Sequence, residues 1–271
     1  MDDLTSVALS SDPSSPAEPQ PWWLVRGGRG RVGGSAFLDY IIQRARHNGR
    51  RVKPLDGDLR SRTLSELYPS AGPGADGDAA SSPLSEDIGA IKAWFEGELD
   101  ASVGDRMCRA VDFGGGDRVL QDYGHELNVG EFCERFSLGL IWAFVLGPDI
   151  EDLRHVTQVI STGAVAGGRI LLVLNEGVIR ADQSVEGLFN RTRAEPEFRR
   201  LLDQGAEQIT MSRLTCLDTL RAQGLGFFQA ASGALDRHGK RTRPTVQHMT
   251  SIWLRDMDDE LTGSEAGTWL A

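Results

Sequence analysis

With 271 residues, 40% of them apolar and 25% charged, the chain can bury one large core and is no disulfide-stapled mini-protein. Its 32 glycines, against about 19 at average usage, lack the three-residue period of collagen and so belong to loops. A formal charge of -10 excludes the overall basic footprint of a protein that coats nucleic acid, although residues 22–63 hold ten Arg or Lys against three Asp.

Residues 1–21 are acidic and proline-rich, with neither the basic start nor the apolar centre of a secretion signal, and are expected to form a disordered leader. The folded domain is expected over 22–271. It opens on the apolar run Trp22-Trp23-Leu24-Val25, which reads as a strand seeded by two tryptophans. A glycine-rich loop follows from Gly27, and then Phe37, Leu38, Ile41, Ile42 and Ala45 recur at helical spacing. Gly49 is the expected helix stop. Val52 to Leu55 read as a second strand, which Pro54 assigns to a sheet edge or a strand end, with Asp56 and Asp58 at its tip.

Residues 69–83, rich in Ala, Gly, Ser and Pro, are expected to be a flexible surface insertion. Leu84, Ile88, Ile91, Phe95 and Leu99 then form a helical stripe, followed by a strand over 109–113 that runs into Gly114, Gly115 and Gly116. The segments 140–147 and 170–175 are continuously apolar, as strands covered on both faces must be, and Leu153, Val156, Val159 and Ile160 mark the crossover helix between them. Beyond them lie a polar helix near 182–203 broken at Pro196, a short strand around Ile209, and a helix from near Cys216. A last helix carries the stripe Val246, Met249, Trp253, Met257 and Leu261, expected to pack back onto the domain. Strand and helix alternate throughout, which predicts a single doubly wound α/β domain with a mostly parallel sheet and helices on both faces.

Cys108, Cys133 and Cys216 are too widely spaced for a zinc or disulfide framework and fit buried thiols in a reducing compartment. The five histidines form no short-range metal pair, and no apolar run approaches the roughly 20 residues that span a bilayer, so a cytoplasmic protein with no membrane partner is expected.

The most informative stretch is residues 23–35, Trp-Leu-Val-Arg-Gly-Gly-Arg-Gly-Arg-Val-Gly-Gly-Ser, between the first strand and the first helix. Gly28, Gly30 and Gly33 satisfy the dinucleotide pattern G-x-G-x-x-G. Gly28 to Ser35 also match the phosphate-loop pattern G-x-x-x-x-G-K-S at its glycines and serine, but Gly34 stands where the lysine belongs.

The loop resembles the deviant Walker A motif of the ParA/MinD-like ATPases, with the plasmid mobilisation and stability branch called MobD, StbB or TraL the nearest likeness. Further segments agree in order: 56–69 after the second strand, 111–117 as the Walker B region, 174–177 as the strand end that meets the base, and 211–214 as a later loop. The resemblance spans about residues 22–260. It implies that Gly28, Arg29, Gly30, Arg31, Val32, Gly33, Gly34 and Ser35 bind the phosphates of ATP or ADP. Arg29 then takes the place of the signature lysine that crosses a dimer, Ser35 and Asp112 hold Mg²⁺, Asp58 orients the attacking water, and Asn175 contacts the base. Without the lysine at 34, hydrolysis is expected to be weak or lost.

The resemblance thus implies a nucleotide-binding switch or partner in plasmid maintenance or mobilisation, with a homodimer and an unidentified protein partner. The basic stretch at 44–53, with Arg44, Arg46, Arg50, Arg51 and Lys53, offers nonspecific DNA contact or forms a solvated helix face. Two other functions stay open: a non-enzymatic scaffold on a decayed loop, and an NAD(P)-dependent oxidoreductase using Gly28, Gly30, Gly33 and Asp56.

Overall fold

A computed structural model of the chain describes residues 19–70, 78–114, 126–180 and 182–271. Residues 1–18 of the expected leader, 71–77 of the expected insertion, and Gly115, Gly116 and Asp117 lie outside the described residues.

The chain runs β1 (Trp22–Gly27), α1 (Gly34–His47), β2 (Val52–Asp56), α2 (Thr63–Leu67), α3 (Ile88–Asp105), β3 (Cys108–Asp112), α4 (Val129–Arg135) and β4 (Gly139–Leu146). It continues with α5 (Ile150–Ser161), β5 (Arg169–Asn175), a 3₁₀ turn (Glu176–Val178), α6 (Asn190–Ala194), α7 (Pro196–Asp203), β6 (Glu207–Met211), α8 (Leu217–Gln223), α9 (Phe227–Ala231), α10 (Pro244–Thr262) and α11 (Ala266–Trp269). The six strands form one all-parallel sheet in the order β2-β3-β1-β4-β5-β6. The expected fold class is the observed one.

The continuous apolar runs explain that arrangement, because a strand buried on both faces cannot alternate apolar with polar residues. Along β1, Trp22 and Leu24 enter the core shared with Phe37, Ile41, Trp253 and Met257, while Trp23 and Val25 enter the core shared with Phe95, Leu99, Val156 and Phe198. Helices α1 and α10 therefore cover one face, and α3, α5 and α7 the other. Trp23 meets Phe95 edge to face, with ring centroids 5.5 Å apart. Pro196 does not break a long helix but starts α7 as its first residue, where proline loses no hydrogen bond.

Pro54 lies on an outer strand, as expected, and the outer side of β2 is not bare. Ser81 donates its amide to Pro54 O at 3.0 Å and accepts from Asp56 N at 2.8 Å, so the end of the low-complexity segment runs along the sheet. On the opposite border, the amide of Thr210 in β6 donates to Glu260 Oε2 of α10 at 2.8 Å. Leu84, expected within the α3 stripe, precedes the helix and is fully exposed. Among the described residues no helix is long and apolar enough to cross a membrane.

Candidate functional site

The carboxyl ends of the parallel strands share one side of the sheet, where ligands bind in open α/β folds. Residues 28–35 leave β1 there and turn into α1 through backbone with positive φ at Gly28 (99°), Arg31 (67°) and Gly33 (85°). Gly33 is the left-handed N-cap, and α1 begins without a side-chain cap and without an acidic residue in its first turn. The first amides and the positive end of the helix dipole are thus left for an anion. Arg31 occupies a left-handed conformation that costs an L-residue roughly 1–2 kcal/mol, so an exposed arginine sits on backbone that favours glycine.

The end of β3 brings the acid. Asp112 is 1% exposed; its Oδ2 accepts the Ser35 hydroxyl at 2.5 Å and its Oδ1 accepts the amide of Gly114 at 2.8 Å. Asp58, half-buried in the turn after β2, accepts the amides of Arg60 and Ser61 at 3.2 and 3.1 Å. Its Oδ2 lies close to Gly114, 2.4 Å from where a Cβ would stand. Ser35, Asp112, Gly114 and Asp58 therefore converge beside the loop. Sequence reasoning missed one further member, Arg26, whose Nη1 reaches Asp112 Oδ1 at 3.3 Å and whose Nη2 donates to Arg29 O at 2.6 Å. The sequence offered only an arginine near the end of an otherwise apolar strand, which by itself marks no site.

Arg29 is anchored within its own chain. Its Nη1 sits 3.0 Å from Asp152 Oδ1 and 3.6 Å from Asp149 Oδ2, both at the start of α5. Burial pushes the Asp152 carboxyl above its usual range, partly offset by the Gly147 amide and by Arg29. Asn175, at the tip of β5, is 2% exposed; its Nδ2 donates to Val32 O at 2.7 Å and its Oδ1 accepts from Gly177 N at 2.7 Å. It clamps the buried Val32 backbone of the loop. Beside it opens a cavity of about 470 Å³, lined by Arg31, Gly33, Asn175, Met211, Arg213 and Trp253. Gly30 lies exposed at the loop's crest.

Asp56 belongs to a different structure. It is 1% exposed, its Oδ2 accepts Ser65 N at 2.7 Å and its Oδ1 accepts Asp58 N at 3.3 Å, so it fastens the start of α2. In a dinucleotide fold the acid that reads the ribose ends a strand adjacent to β1; here β3 stands between β1 and β2. That order removes the oxidoreductase assignment of Asp56. Burial raises the Asp56 carboxyl above its usual range, the Ser65 bonds oppose this, and the charge of Asp112 adds to it. A raised folded pKa means the contribution is favourable below about pH 3.9 and lost as pH climbs through the folded value. Asp56→Asn, which keeps an acceptor for Ser65 N but not for Asp58 N, is therefore expected to compare worst with the natural chain near pH 4 and to gain on it as pH rises toward 7 in calorimetric scans.

The basic stretch is mostly satisfied internally. Arg44 pairs with Asp258 at 2.8 Å, Lys53 pairs with Glu98 at 2.9 Å, and Arg50 donates to Gln20 O at 2.8 Å. Arg46 donates to Val52 O at 2.9 Å and lies 4.8 Å over the Tyr68 ring. Of the five, Arg51 is the exposed one, which leaves little charge for a phosphate backbone. The three cysteines are free and buried, and burial pushes the Cys133 thiol up to about 12, away from nucleophilic use. No group of three or more His, Cys, Asp or Glu among the described residues could hold a metal by itself.

No family model and no curated protein matches the chain. Among solved structures it is similar to the MinC:MinD cell division protein complex of Aquifex aeolicus, with 11% identity over 87% of this chain and 95% of that one and a TM-score of 0.47. It is also similar to the MinD cell division protein of Aquifex aeolicus, with 15% identity, 87% and 97% coverage and a TM-score of 0.47. A third likeness is to chloroplast FtsY from Physcomitrella patens, with 12% identity, 72% and 59% coverage and a TM-score of 0.46.

Proposed function

We propose that this chain binds the phosphates of ATP or ADP over residues 28–35, hydrolyses ATP slowly or not at all, and works as a nucleotide-dependent switch or partner in plasmid maintenance or mobilisation. The observation that carries the binding is the uncapped head of α1, reached through three positive-φ residues, with the Ser35 hydroxyl against Asp112 at 2.5 Å. The cavity beside Asn175 has the size of a small-ligand site and is assigned to the base. The plasmid setting rests on the sequence resemblance alone.

Ser35 Oγ and Asp112 Oδ2 are the oxygen donors Mg²⁺ takes together with phosphate oxygens and water, so the residues present fit the ion. When bound it would neutralise phosphate charge. Asp58, in the turn after β2, is the residue that would orient a water, and Asn175, which bonds Val32 O, would hold the loop beside the base. Gly34 brings no cation of its own to the head of α1, and the slow turnover proposed here rests on that missing lysine. A homodimer that used Arg29 in the second site would first have to release it from Asp152.

Titration of the full chain with ATP and ADP, with Mg²⁺ and with a chelator, tests the proposal. Saturable micromolar binding is expected, with phosphate release slower than the ~10⁻² s⁻¹ of a GTPase that carries its catalytic arginine in place. A folded protein that takes up neither nucleotide at millimolar concentration would leave the non-enzymatic scaffold as the function.

A further inference from the structure

Position 34 is not an empty slot from which a lysine has been lost. A Cβ on Gly34 would stand 2.0 Å from Arg26 Nε, 2.6 Å from its Cζ and 2.9 Å from its Cδ. The volume that a side chain at the head of α1 would need is filled by a guanidinium arriving from β1. Arg26 is 3% exposed, and a buried guanidinium persists only where charge and hydrogen bonds replace its water. Nη1 faces Asp112 and donates to Gly114 O, while Nη2 donates to Arg29 O at 2.6 Å. The remaining nitrogen differs from the equally unpartnered Nε atoms of Arg46 and Arg109 in where it lies. Nε is buried and has no hydrogen-bond partner among the described residues, and it lies against the Gly34 turn, where α1 presents its first amides.

We infer that Arg26 is the phosphate-facing cation of this site, delivering from β1 the charge that the phosphate-loop pattern delivers from the head of the helix, and that glycine at 34 is the steric counterpart of that relocation. The ligand class is the terminal phosphates of a nucleoside di- or triphosphate, so the inference rests on the nucleotide proposal above. The fork of an arginine suits the position: one part of it holds Asp112, Gly114 and the loop carbonyl while another donor stays available to an oxyanion, which the point charge of a lysine does not offer. The sheet fixes the fork's origin, because Arg26 and Asp112 are register partners across β1 and β3. The same carboxylate receives Ser35, so the relocated charge, the hydroxyl and the acid form one connected group.

Calorimetric titration of the full-length protein with Mg-ATP and Mg-ADP tests this with Arg26→Gln and with the double variant Arg26→Ser, Gly34→Lys, which returns the cation to the helix. Arg26→Gln is expected to weaken binding at least tenfold, and the double variant to bind within threefold of the natural chain. If the natural chain binds and Arg26→Gln binds equally well, the inference is overturned and the nucleotide proposal stands. If Arg26→Gln does not fold, the double variant decides: binding supports relocation, and loss of binding from a folded protein overturns it. If the double variant binds and the natural chain does not, Arg26 plugs the loop, and both readings fail. If neither binds, the nucleotide proposal itself has failed. A thermal-unfolding cycle gives a second readout free of ligand: Gly34→Ala is expected to lower the melting temperature in the natural background and to leave it unchanged beside Arg26→Ser, and an equal loss in both backgrounds would overturn the steric half of the inference.

Discussion

Arg109→Ala is expected to destabilise the fold by about 1.5–3 kcal/mol in urea unfolding at neutral pH and low salt, the range for losing hydrogen bonds to a charged group. Arg109 sits in β3 with 0% exposure, and its two Nη atoms grip the Asp105 carboxylate at 2.6 and 2.7 Å. It also donates to Met107 O at 2.9 Å and lies 3.8 Å from Glu98, which Lys53 holds at 2.9 Å from the other side. Truncation leaves Glu98, itself 7% exposed, with one partner fewer and opens a void beneath α3. Burial alone would push the Asp105 carboxyl up, but the bonds from Arg109 and from the Met107 amide outweigh it and hold the group below its usual range. A depressed folded pKa contributes stability above about pH 3.9 that disappears as pH falls through the folded value. The variant should therefore also lose part of the acid sensitivity of the natural chain. Replacing Arg109 by Met and Glu98 by Leu together should cost less than Arg109→Ala alone, because the charges that lose a partner, Asp105 and Lys53, reach solvent whereas Glu98 is buried.

Gly33→Ala is expected to cost about 2–4 kcal/mol, the sum of left-handed strain and a broken buried hydrogen bond. Its φ is 85°, and a Cβ there would fall 2.2 Å from Asn175 Nδ2, the atom that donates to Val32 O. Gly49→Ala supplies the comparison, since Gly49 has a φ of 81° but nothing within 4 Å of an added Cβ. That substitution carries strain without displacement. Thermal unfolding of the two variants side by side isolates the Asn175 clamp as their difference, and equal losses would show that the clamp contributes nothing.

Much of the sheet was legible because its chemistry is local. Residues 140–146 and 170–174 are unbroken apolar runs, and such runs become central strands whatever surrounds them. The last helix was legible in place but not in detail. Its buried face carries Thr250 where Met249 was expected: Met249 is 37% exposed, and Thr250 is buried because its hydroxyl donates to Val246 O at 2.8 Å within the helix. Hydropathy alone cannot register that internal satisfaction. Helices α4 and α9 span only seven and five residues, too short to leave a periodic trace. At the site, Ser35 and Asp112 could be placed from their motifs. Arg26 could not, since an arginine at a strand end reads as the chain's exit to water. Its meaning depends on Gly34, eight positions later, and the two meet only once strand and helix are packed.

Both borders of the sheet are partly occupied by the chain itself, through Ser81 on β2 and Glu260 on β6. Backbone groups bonded in this way are withheld from a foreign strand, and Pro54 has no amide to donate on its border. The protein is thereby guarded against edge-to-edge aggregation and against peptides that bind by strand addition.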